Sequence, residues 1–224
     1  MVPLLAAAVC PHPPLLVPDV AAGAAAELDS CRAACRTAVE ALASVSVSAL
    51  IVVGSGPEDR LFTTVGGSFA PWGVDRTVGD PTGDLPLSLL VGAWLVDGYP
   101  FNNQTFWSVG TDSSPNDCAA LGASLVGDAA VAMLVMGDGS ACRSEKAPGY
   151  FDHRAESFDA SVASALADAD GKALLDLDPS LAAELRVAGR APWQVLAGAG
   201  ASLRGELLYH EAPYGVGYFV ASWR

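Results

Sequence analysis

An apolar run, Ala6-Ala7-Ala8-Val9-Cys10, stops abruptly at Pro11-His12-Pro13-Pro14. Proline fixes φ and donates nothing to a ladder, so these prolines drive the chain out of any sheet where the imidazole appears. A histidine in a rigid turn at the C-terminal end of a buried first strand stands where open α/β sheets place their ligands. The alternative for His12 is a turn histidine that only caps backbone groups.

The 224 residues, 51% of them hydrophobic, suffice for a large core, and 17% charged residues argue against disorder. With 12 Lys+Arg against 25 Asp+Glu the net charge is −13, so a nucleic-acid duplex or an anionic membrane would repel this surface. No Lys or Arg precedes the first apolar run, as a secretion signal requires, and Ala-Ala-Val before Cys10 fits a lipoprotein site poorly. Residues 121–136 carry Gly127 and Asp128 midway and fall short of the roughly 20 residues of a membrane span. A cytoplasmic protein is expected, with no nucleic-acid and no membrane partner. Its five cysteines (10, 31, 35, 118, 142) follow no CxxC spacing and read as reduced, buried thiols.

Strand and helix signals alternate. Residues 4–9, 48–53 and Val131–Met136 are continuous apolar runs, whereas 21–46, 86–97, 116–126, 154–169, 179–188 and 192–200 read as helices. Residues 205–210 and 215–222 alternate like a closing strand pair through Pro213. Such a rhythm predicts one α/β domain over 1–224, with a mostly parallel sheet covered by helices on both faces.

Three strand ends carry polar or small residues: His12, the turn Gly54–Arg60 and the turn Gly137–Ser140. Gly54-Ser55-Gly56 lacks the third glycine of a dinucleotide loop and the Gly-Lys-Ser/Thr of a P-loop. Neither Ser55 nor Ser140 sits in a Gly-x-Ser-x-Gly elbow, so a serine hydrolase finds little support.

Pro11-His12, Val-Val-Gly-Ser-Gly-Pro and Gly-Asp-Gly-Ser together resemble the class III extradiol ring-cleavage dioxygenases of subunit-B type, a superfamily that includes the Memo-type proteins. The resemblance extends through Pro148-Gly149-Tyr150, Phe158-Asp159, Gly189-Arg190-Ala191-Pro192-Trp193 and Tyr214-Gly215-Val216-Gly217-Tyr218, in the manner of a compact actinobacterial-type branch. It implies a non-haem Fe(II) held by two histidines and a carboxylate, with a further histidine as acid/base. His12 matches the first ligand. The second histidine would fall within Gly54-Ser55-Gly56-Pro57, which has none, and the acid/base position after Asp138-Gly139-Ser140 is Ala141. Where Memo-type relatives have a cysteine, this chain has Ala188; Glu206 and Glu211 are the glutamates nearest the expected third ligand.

One histidine cannot hold Fe(II) in an open site, because glycine, serine and alanine supply no comparable donor. The expectation is therefore an extradiol-dioxygenase-like protein with a degenerate metal site and no cofactor, binding a small aromatic ligand or a protein partner in the old cleft. Trp72, Phe106, Trp107 and Tyr150 are candidates to line that cleft, although each also fits plain core. The alternative is an active oxidoreductase, with Fe(II) or another divalent metal on ligands rearranged among His12, His153, Glu58, Asp59 and Asp138. His153 equally suits a solvated position before a helix, His210 an edge strand, and Glu58 and Asp59 a segment start where acidic groups favour backbone amides. A third arrangement completes the site from a second copy of the chain or another subunit.

Overall fold

The computed structural model describes residues 4–127, 129–200 and 202–224. Asp128, which interrupts the apolar stretch 121–136, and the first three residues lie outside them. The chain forms β1 (Leu4–Cys10), α1 (Pro18–Ala21), α2 (Asp29–Ala43), β2 (Ala49–Gly56), β3 (Arg60–Phe62), β4 (Gly66–Ser68), β5 (Thr77–Gly79), α3 (Leu87–Val96) and β6 (Gln104–Gly110). There follow α4 (Pro115–Leu125), β7 (Val131–Met136), α5 (Ala155–Asp168), α6 (Gly171–Leu175), α7 (Pro179–Glu184), α8 (Arg190–Gly198), β8 (Gly205–Glu211) and β9 (Tyr218–Trp223).

Seven strands make one sheet in the order β3-β6-β2-β7-β1-β9-β8, and β4 and β5 form a separate hairpin. The four inner strands β6, β2, β7 and β1 are parallel; β3 at one edge and the β9–β8 pair at the other run antiparallel. The sheet is thus mixed: its contiguous block β6-β2-β7-β1 is parallel, as the apolar runs suggest, and its two flanks are antiparallel. Those runs belong to the inner strands, buried on both faces; the short or alternating edge strands leave no comparable signal.

Helices cover both faces. Alternate residues of β1 (Ala6, Ala8, Cys10) pack toward α2 and α3, and the intervening Ala7 and Val9 pack toward α5 and α8. Helix α2 buries Cys31, Cys35, Ala38, Val39 and Leu42, the apolar stripe of an amphipathic helix. Helices α4 and α8 cross so closely that a Cβ on Gly122 would lie 2.0 Å from the Val195 carbonyl oxygen, and one on Gly198 2.3 Å from that of Ala119. The 21–46 helical segment divides because Ala22 takes a φ of 48°: a 3-10 helix over Ala22–Leu28 precedes α2. Among the described residues no helix is long and apolar enough to cross a membrane. All five cysteines are buried and unpaired.

Candidate functional site

Because β7 inserts between β1 and β2, the three loops that leave their C-terminal ends emerge side by side. Cys10 and Gly54 both pair with Met136, so His12 and Asp138 follow β1 and β7 at one sheet edge, while Ser55, expected in a turn, lies in the last residues of β2 opposite Val109. The chain leaves β1 and β2 toward the α2–α3 face and leaves β7 toward α5. Loops that part to opposite faces open the crevice in which doubly wound sheets place ligands.

His12 and Asp138 meet in that crevice. The His12 backbone N–H donates to Asp138 Oδ1 at 2.7 Å, and its Nδ1 stands 3.7 Å from the same oxygen. Both side chains are largely buried, at 9% and 15% exposure. Burial raises the Asp138 carboxyl above its ordinary pKa, while His12 and its N–H pull it back. His12 Nδ1 is buried with no hydrogen-bond partner, as is Trp193 Nε1 beneath Gly137. Tyr218, almost fully buried, has its phenol pushed well up, first by burial and then by the nearby Asp138 charge.

Backbone contacts hold the turn after β7. The Gly137 N–H donates to Cys10 O, the Gly139 N–H to Gly217 O, and the Gly189 N–H to Asp138 O. Ser140 turns away from His12: its N–H and Oγ donate to the fully buried Asp159 at 2.9 and 2.8 Å, and Arg143 Nη1 lies 3.2 Å from the same carboxylate. A Cβ on Gly217 would come within 2.4 Å of Asp159 Oδ2, so glycine lets the C-terminal turn close over this carboxylate.

The remaining candidates serve the framework. Ser55 O accepts the Ser88 hydroxyl at 2.6 Å, and Glu58 O accepts that of Ser108 at 2.7 Å. Asp59 accepts the Gly110 N–H and the Ser113 hydroxyl, closing the end of β6. The His153 side chain is 87% exposed beside Asp152, and His210 in edge strand β8 stacks on Phe219 at 4.8 Å. Phe106 is core, Trp72 and Trp107 pack against core, and Tyr150 is exposed, so these aromatics form no common lining.

A cavity of ≈ 560 Å³ is walled by Thr111 and Asp112 after β6 and by Ala183, Arg186, Ala188 and Arg190 around α7 and α8; neither His12 nor Asp138 lines it, and the link between them is the Gly189 N–H bonded to Asp138 O. Buried Arg190 donates to the Thr111 and Ser113 carbonyls, both at 2.5 Å, and to Gln194, and so fixes this wall. Arg190 stands in the Gly189–Trp193 motif, but nothing in the local sequence marks the loop, some 80 positions upstream, that it anchors.

The donor set does not fit the iron of the extradiol dioxygenases. His12 and Asp138 contribute one nitrogen and one carboxylate, and the turn after β2 brings no imidazole beside them. Among the described residues no three His, Cys, Asp or Glu side chains are grouped to hold a metal ion.

No family model and no curated protein matches the chain. Among solved structures the fold is similar to that of the uncharacterized protein JW3007 from Escherichia coli K12, with a TM-score of 0.57 at 12% identity over 97% of this chain and 98% of that one. That likeness concerns the fold, an α/β arrangement with a large mixed sheet flanked by helices.

Proposed function

We propose that this chain is an extradiol-dioxygenase-like protein, of subunit-B type, that has given up the iron chemistry and binds a small molecule in the old cleft. The observation that carries the reading is the buried His12–Asp138 pair at a strand-end crevice, with Gly54-Ser55-Gly56 and Ala141 where the family would have histidines. The cavity between the loop after β6 and α7–α8 falls within the roughly 300–1,000 Å³ typical of small-ligand sites. Asp138, its carboxyl raised by burial, holds the His12 backbone N–H and so fixes the ring beside it at the sheet edge. Arg186, on the cavity wall that Arg190 fixes, orients an anionic or phenolic edge.

The test combines anaerobic loading with Fe(II), elemental analysis and oxygen uptake on a panel of catechols. The expected result is substoichiometric iron and no ring cleavage, with His12→Ala changing stability or ligand binding only modestly. One tightly held iron per chain, with ring cleavage abolished by His12→Ala, overturns the reading in favour of a rearranged metal centre.

A further inference from the structure

A second cavity, of ≈ 500 Å³, lies between the first half of α2, the end of α3 and the segment before β5. It shares no lining residue with the cavity walled by Arg186 and Arg190. Arg32, Arg36 and Arg76 converge there, a quarter of the chain's 12 cations, with the half-buried rings of Trp94 and Tyr99.

The three arginines are not equivalent. Arg32 is committed to the fold, donating to Leu16 O, Ala25 O and Asp29 Oδ1. Arg76 bonds Asp19 through Nη1 at 2.5 Å, but its Nε is buried with no partner. Arg36 makes no ion pair among the described residues, although it lies near enough to Tyr99 to draw the phenol's pKa down against the raising effects of burial and Glu40. A buried guanidinium N–H without an acceptor is costly, and an incoming acceptor removes that cost.

We propose that this cavity binds a monoanionic aromatic carboxylate, with the Arg36 guanidinium and the accessible part of the Arg76 guanidinium on the carboxylate and Trp94 and Tyr99 against the ring. Guanidinium donors match carboxylates, and indole and phenol faces suit a planar ring. Asp29 and Asp97 also line the cavity and Asp19 borders Arg76, so the local charge is nearly balanced. The attraction is therefore one of unfilled donors, which suits a single negative charge and disfavours a polyphosphate. The site is independent of the His12–Asp138 reading.

Isothermal titration of the full chain with 2-naphthoate and with 2-naphthamide, the same ring without the charge, tests it. Saturable binding of naphthoate at one site per chain is expected, with naphthamide weaker by about tenfold or more. Arg36→Ala, on an exposed helix position, should weaken naphthoate by about tenfold with an unchanged circular dichroism spectrum and melting temperature. Arg36→Gln serves the same purpose should the alanine variant misfold. Quenching of Trp94, absent in Trp94→Phe, reports the ring's position. Equal binding of the two probes, no binding of naphthoate, or binding that survives Arg36→Ala but is lost in Arg186→Ala overturns the proposal. The last outcome places the ligand at the sheet edge and supports the other cavity instead.

Discussion

Asp138 accepts the backbone N–H of His12 at 2.7 Å while the imidazole of the same residue stands 3.7 Å from that oxygen without bonding it. The carboxylate thus ties together the ends of β1 and β7 whatever the ring does. This separates the structural duty of Asp138 from any proton chemistry of His12.

Replacing Asp138 by Asn keeps an acceptor for the His12 N–H and removes a buried charge. Burial raises the Asp138 pKa in the folded state. Its stabilising contribution is therefore complete below the unfolded value, about 3.9, and is lost as pH rises through the folded pKa. Relative to wild type, Asp138→Asn should gain stability between pH 4.5 and pH 8. Urea unfolding at both pH values checks this, and a relative loss at pH 8 would contradict it.

Asp159 is more severe. Its removal strands the Ser140 N–H and hydroxyl and the Arg143 guanidinium. Asp159→Ala should cost roughly 3–5 kcal/mol, and Ser140→Ala only about 1 kcal/mol. Comparison of the two denaturation midpoints decides whether the buried carboxylate organises the turn.

The closest helix crossing offers a purely steric test. A methyl on Gly122 meets backbone atoms of α8 that cannot swing aside. Gly122→Ala should destabilise by about 1–3 kcal/mol despite the better helix propensity of alanine. Gly127→Ala, with nothing within 4 Å of the added carbon, is the control.

Thiol titration addresses the cysteines. Burial pushes the Cys118 thiol up, and Cys35 is raised chiefly by hydrogen bonding to Cys10 and then by burial. The native protein should react slowly with a disulfide reagent, and the denatured, unreduced chain should release five equivalents. A count of three or one would reveal a disulfide.

Legibility in the sequence followed burial. Val131–Met136 is buried at every position and appears as an unbroken apolar run with the bounds of β7. Strand β6 begins at exposed Gln104 and mixes Thr, Ser and Gly with its aromatics, so no period announces it. Strands β3, β4 and β5 have three residues each, too few for any alternation to register. His12 and Asp138 were legible because each ends such a run. The partner of Ser140 was not: Asp159 lies 19 residues on, inside a helix whose other carboxylates face water. Nor does local sequence show three arginines from two distant segments converging on one cavity, since tertiary folding alone brings Arg76 to α2.

The strand order also dictates when the fold can close during synthesis. β1 pairs with β7 and β9, so once synthesised it has no neighbour in this sheet until residue 131 has been made. At typical translation speeds that wait is on the order of ten seconds. Its second neighbour arrives only with residues 218–223. Over the 120 residues between Cys10 and Val131, a nascent chain of this topology carries an unpaired apolar ribbon. Chaperone demand and sensitivity to ribosome stalling should therefore concentrate on Leu4–Cys10.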